Sequence, residues 1–184
     1  GKDFFIKHTK HTDRFLVLLY KYILRKNFTS HQPMSTSIPI SLIALGSYGR
    51  EQLCIYSDID IMILYENVKG YNLKKLMEEF ITLAWDCGLK LGSRVHELKE
   101  ISEAVKEDIT IKSSILESRM ICGSKILWCE YGNVLTKIRK TNQKEFVLKK
   151  LEEHKQRLLK YPLKMQPNIK DGYGGIRESN MMYW

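Results

Sequence analysis

The sequence predicts an α+β fold: a small mixed β-sheet with helices on one face, followed by a helical bundle extension. Three observations predict it. Apolar runs of strand length alternate with segments whose apolar residues recur at helical spacing. Turn-forming residues punctuate that alternation. Beyond Lys99 only helical periodicity remains. At 184 residues the chain is long enough for one domain with a real core and a helical extension. The core with its N-terminal helix is expected at 1–98, the extension at 99–165, and a glycine-containing tail at 166–184.

Phe15, Leu18, Leu19 and Tyr22 recur at helical spacing, which predicts an amphipathic helix over Thr12 to Lys26. Phe28 to Ser37, rich in Ser and Thr with Pro33, reads as a loop. Ile38 to Leu45 is the first strand, with Pro39 tolerable near its start. Tyr48 to Leu53 is a short helix or turn, and Asp58 to Tyr65 is the second strand. Asn72 is placed to cap a helix whose stripe runs Leu73, Leu76, Met77, Phe80, Leu83, Ala84 and Cys87, and Gly88 to end it. Leu89 to Leu98 is the third strand. Helices then follow at Glu100 to Lys106, Asp108 to Cys122 (stopped by Gly123), Ser124 to Lys140 and Asn142 to Tyr161. Asn142 with Glu145 has the spacing of a capping box, Leu148, Leu151 and Leu158 supply a seam, and Pro162 ends the last helix. The tail closes on Met-Met-Tyr-Trp, an ending expected of a fragment of a longer protein.

An apolar fraction of 43% fits a globular protein rather than a disordered one. The net charge of +9 suits an anionic partner, although lysines on solvated helix faces such as Lys74-Lys75 and Lys149-Lys150 account for part of it. Cys54, Cys87, Cys122 and Cys129 show no metal-binding spacing and read as buried free thiols of a reducing compartment. The longest apolar stretch, Phe15 to Leu24, is interrupted by Lys21 and too short to cross a bilayer. A cytoplasmic location is expected, with no membrane partner.

The chemistry concentrates between Ile43 and Leu64. An apolar run ends in Gly46-Ser47, a polar turn follows, and the next strand carries Asp58 and Asp60. Successive strand side chains alternate, so the two aspartates share a face, roughly 6–7 Å apart. Two carboxylates so spaced suit a hard cation such as Mg²⁺. Gly-Ser lets backbone approach a phosphate, and a helix starting there aims free N–H groups at it. The competing reading is two solvent-facing aspartates on an edge strand, but aspartate is disfavoured in strands. A third carboxylate is Glu97, near the end of the third strand, or Asp108, which equally suits a helix N-cap. Arg50 either reaches phosphate or pairs with Glu51 or a helix end. Lys170 and Arg177 lie where a glycine-rich backbone can approach an anion, or simply pack on the helices. His96 is a base or a structural histidine, and Tyr48 a stacking or a packing ring.

Those residues in that order resemble the signature of the DNA polymerase β-like nucleotidyltransferase superfamily. The run LGSYGREQLCIYSDIDIMIL further resembles the catalytic core of the bacterial uridylyltransferase/uridylyl-removing enzyme family that modifies the PII nitrogen-regulatory protein. WDCGLKLGSRVHEL, DITIKSSILESRMICG and QPNIKDGYGGIRES are similar to the blocks that follow in that family. The resemblance covers about Ile40 to Trp184. It implies Mg²⁺-dependent transfer of UMP from UTP to a tyrosine hydroxyl of a PII-type signalling protein. Asp58 and Asp60 would be the metal-binding and catalytic aspartates, and Gly46 and Ser47 the phosphate-contacting pair, with Arg50 beside them. The departures at Arg94 to Glu97 and Tyr173 to Glu178 fall in blocks placed to line a base or acceptor pocket. The alternatives are a nucleotidyltransferase-like domain of other acceptor specificity and a non-catalytic nucleotide or nucleic-acid binding module. Both aspartates being present favours the enzyme. No interleaved basic and aromatic stripe of a single-strand binder is evident, so nucleic acid is not the expected partner.

Overall fold

The computed structural model describes residues 1–29, 33–161 and 168–182. Strands β1 (Ile40–Ala44) and β2 (Ile59–Tyr65) pair antiparallel at the centre of a mixed four-stranded sheet. Strand β3 (Leu91–Glu97) lies parallel to β2, and β4 (Arg119–Gly123) pairs antiparallel with the far edge of β1, giving the order β3-β2-β1-β4. A parallel pair needs a crossover. Helix α3 (Leu73–Asp86) supplies it, opened by the Asn72 side chain accepting from Lys75 N–H and followed by Gly88 at φ 80°.

β2 alternates between two cores. Ile59, Ile61 and Ile63 join Ile40, Leu42 and Ala44 beneath α1 (Lys2–Asn27) and α3, where Leu16, Tyr20, Leu24, Leu76 and Phe80 are buried. Met62 and Leu64 join Ile43 and Leu45 on the other face. There they meet Ile101 of α4 (Ile101–Glu107), Ile111 and Ile115 of α5 (Ile109–Leu116), and Leu127 and Tyr131 of α6 (Lys125–Lys140). The α+β class and mixed sheet are as expected. The first two long helices do lie together on one face, and the helices after Lys99 close the other.

Four local expectations change. The helix expected over Asp108 to Cys122 stops at Leu116, and residues 119–123 become β4. A short apolar run such as Met120-Ile121-Cys122 fits either structure, and here the open edge of β1 takes it. The bond from Ser41 Oγ to Ser124 carbonyl, 2.7 Å, closes that edge. The segment expected to form the extension thus supplies a core strand. Asn142 does not build a capping box before α7 (Gln143–Lys160): it adopts φ 51° without a side-chain cap, and Glu145 pairs with Lys149. Nor do Leu148 and Leu151 form a seam, being 66% and 44% exposed, whereas Phe146 beneath Lys112 is buried. The cysteines are free, but Cys54, Cys87 and Cys129 are exposed and Cys122 only half-buried. Pro162 lies outside the described residues.

Candidate active site

One main-chain bond brings the Gly-Ser turn to the aspartates. Leu45 donates its N–H to the Asp60 carbonyl at 2.9 Å, just before the one-turn helix α2 (Gly46–Gly49). Gly46 takes φ 55°, a left-handed conformation that favours glycine, and a Cβ there would lie 3.7 Å from Asp60 Oδ2. Across the sheet Gly92 pairs with Asp60, and a Cβ on it would come within 2.6 Å of Asp60 Oδ1. The carboxylate therefore sits between two bare backbones. Around it opens a cleft of about 460 Å³ lined by Leu45, Gly46, Asp60, Gly92, Ser93, Arg94 and Ser114.

The electrostatics of the cleft favour a cation. Burial pushes the Asp60 carboxyl above its ordinary value, the Asp58 charge pushes it further, and Arg94 and Lys170 pull it back. Asp58 stands immediately before β2 and Asp60 is its second residue. Two adjacent like charges on hard oxygen donors are relieved by a divalent ion, so the donor set fits Mg²⁺. Among the described residues no three His, Cys, Asp or Glu side chains gather as a metal cluster. Asp58 and Asp60 are the residues that would hold such an ion.

A family model described as "Nucleotidyltransferase domain" matches residues 22–164, most of the chain. The chain belongs to the nucleotidyltransferase family. Residues 145–184 of this nucleotidyltransferase also match a model described as "GlnD PII-uridylyltransferase". It is similar to proteins named bifunctional uridylyltransferase/uridylyl-removing enzyme. The protein from Methylococcus capsulatus is 34% identical over 148 residues, 79% of this chain and 17% of the relative. Those from Ectopseudomonas mendocina and Azotobacter vinelandii are each 35% identical over 153 residues, 82% of this chain and 17% of theirs. The chain thus spans about a sixth of the length of the curated relatives it matches.

The remaining candidates in this nucleotidyltransferase separate. Glu97 lies in register with Tyr65 at the far end of the β2–β3 pair and binds Lys99 at 2.9 Å. Five residues of strand separate it from Gly92, roughly 16 Å, too far to join Asp60. Asp108 caps α5, accepting from the Thr110 N–H and hydroxyl at 2.7 Å each, which with Arg94 lowers its pKa. Arg50 engages Glu117 and Gln52 and is not among the residues lining the cleft. Ser47 is half-buried within α2. Tyr48 is fully buried, the packing reading. Arg177, in α8 (Ile176–Met181), pairs with Asp171 at 3.1 Å. His96 is half-buried, and burial followed by Arg94 holds its pKa down. Lys170 lies near enough for its charge to act on Asp60.

Sequence reasoning missed Gly92 and Ser114 as cleft residues. Only the parallel register, set by the α3 crossover, puts Gly92 opposite Asp60. Ser114 arrives on a helix fifty-odd residues downstream, for which no local signal exists.

Proposed function

We propose that this nucleotidyltransferase transfers UMP from UTP to a tyrosine hydroxyl of a PII-type nitrogen-regulatory protein in the cytoplasm. The observation that carries the transfer reading is the Asp60 carboxylate held beside the Gly46 turn at the edge of an open cleft. The names of the relatives support the uridylyl group, and the description of the family model matched by residues 145–184 supports the acceptor. Asp58 and Asp60 would hold Mg²⁺. When bound, such an ion neutralises phosphate oxygens as charge develops on them. Gly46 and Ser47, whose N–H groups precede the first intrahelical bond of α2, cradle phosphate. Arg94 on the cleft wall and Lys170 nearby draw the anionic triphosphate in. The tyrosine oxygen forms a bond to the α-phosphorus, the bond to the bridging oxygen breaks, pyrophosphate leaves, and the phenolic proton passes to solvent.

Calorimetric titration of UTP, CTP, ATP and GTP, with and without Mg²⁺, tests this. Binding is expected to depend steeply on Mg²⁺. Base-edge hydrogen bonds left unmade by the wrong base favour UTP by about 1–3 kcal/mol. Tighter binding of ATP or GTP would remove the uridylyl assignment and leave nucleotidyl transfer to another acceptor or from another donor.

A further inference from the structure

Helix α1 reaches the nucleotide turn through a polar cluster that packing alone does not require. The Tyr48 hydroxyl donates to Asp13 Oδ1 at 2.6 Å. Arg119, at the start of β4, donates from both terminal nitrogens to the Asp13 carboxylate, at 2.9 and 3.0 Å. One of those nitrogens also lies 3.4 Å from the Tyr48 carbonyl, and the guanidinium sits 5.4 Å from the centre of the Tyr48 ring. Bidentate charged bonds of this kind fix orientation as well as distance. Asp13 and Arg119 are 22% and 26% exposed, so solvent only partly screens them.

A second tie runs alongside. Arg50, which follows α2, pairs with Glu117. A Cβ on Gly49 would fall 1.9 Å from the Glu117 carbonyl oxygen, so only glycine allows the two backbones to lie so close. Residues 117 and 119 therefore grip the turn at Tyr48, Gly49 and Arg50. A helix of four residues has little stability of its own. Its place is set by the Leu45–Asp60 bond at one end and these ties at the other.

We propose that Asp13 and Arg119, acting through Tyr48, are positioning residues for nucleotidyl transfer: they hold the Gly46–Ser47 backbone in register with Asp60. This rests on the reading of the cleft as a triphosphate site. It makes α1 part of the transfer apparatus rather than a cover for the sheet. Shifts near 1 Å at a reacting site are enough to cost about a hundredfold in rate.

The test compares Asp13→Asn, which keeps shape but loses charge, with Arg119→Lys, which keeps charge but loses the two-pronged fork. Glu79→Gln is the control, because it removes the charge from another polar tie of α1, the carboxylate shared by Lys26 and Asn27, that does not touch the turn. In the nucleotide-free chain, amide exchange across residues 46–50 should rise about tenfold or more in the first two variants, the size expected for losing charged hydrogen bonds. Exchange in β2 and α3 should hold, and the control should match wild type. In transfer assays kcat should fall further than KM rises, with Tyr48→Phe giving a smaller loss of the same kind. Unchanged exchange in the turn overturns the proposal. So does an equal rise in β2 and α3, or a control that behaves like the variants. A wild-type chain that binds no nucleoside triphosphate with Mg²⁺ overturns the site reading instead, and the exchange data judge the ties separately.

Discussion

The two faces of β2 are one strand put to two uses. On one face Ile59, Ile61 and Ile63 vanish under α1 and α3. On the other, Met62 and Leu64 are covered by helices, but Asp60 lies where that cover stops and the cleft opens. The difference is not in the strand, whose alternation is regular throughout. It lies in how far the covering helices reach. A sealed face gains stability from apolar area, whereas the end of the other face keeps two carboxylates together at some electrostatic cost.

Substitutions at the open end should therefore affect chemistry, and those on the sealed face stability. Asp60→Ala is expected to lower transfer by about a thousandfold or more, several kcal/mol of transition-state stabilisation. Thermal unfolding without metal should hold or rise, because one of two repelling charges has gone. A variant that keeps wild-type turnover would remove Asp60 from the chemistry. Phe80→Ala, beneath Tyr20 on the sealed face, should cost about 3–5 kcal/mol in denaturant unfolding. Its turnover per folded molecule should be unchanged, and a selective loss of activity would blur the division.

Gly92→Ala tests the boundary between the two. The added methyl meets Asp60 Oδ1, which must turn aside. Mg²⁺-dependent nucleotide binding should weaken about tenfold, with stability changed by roughly 1 kcal/mol. Binding that is indifferent to the methyl would mean that the carboxylate orientation is not what the ion needs.

A pH series refines the electrostatic side. Asp60 is an acid whose folded-state pKa is raised, so its contribution to stability is fullest below its unfolded-state pKa and is lost as pH rises through the folded value. Mg²⁺ binding runs the opposite way, weakening as pH falls through that raised value. Asp60→Asn should therefore raise metal-free stability at neutral pH, and its advantage should vanish in acid. An advantage that persists at low pH would place the cause outside ionisation.

The smallest effect is expected at Leu151→Asp. Helical spacing alone makes Leu151 a core residue whose replacement by a charged one costs several kcal/mol. At 44% exposure the change should stay within about 0.5 kcal/mol by thermal unfolding of this chain.

What was legible in the sequence is what is local. Gly46, Ser47, Asp58 and Asp60 fall within one hairpin-like passage, and Asn72 and Gly88 mark the ends of α3 by their own chemistry. Strand periodicity assigned Glu97 to a plausible strand but carried no information on its distance from Asp60, which only the register supplies. The three apolar residues within β4, Met120 to Cys122, are too few for a decisive period, and their strand conformation depends on an open edge far back in the chain. The Asp13–Arg119 pair joins residues 106 positions apart and leaves no trace in either neighbourhood.

That separation has a consequence for the nascent chain. Synthesis delivers the N-terminus first, and folding follows the order of emergence. Once Tyr65 is out, the turn, both aspartates and the β1–β2 pair are all present. Gly92 and Arg94 are not, and Glu117 and Arg119 come later still. A ribosome paused before residue 119 thus carries every motif of the hairpin and the Tyr48–Asp13 bond, but not the Arg119 fork that fixes Asp13 against the turn. If Asp13 and Arg119 position the turn as proposed, competence waits for β4 to join the edge of β1.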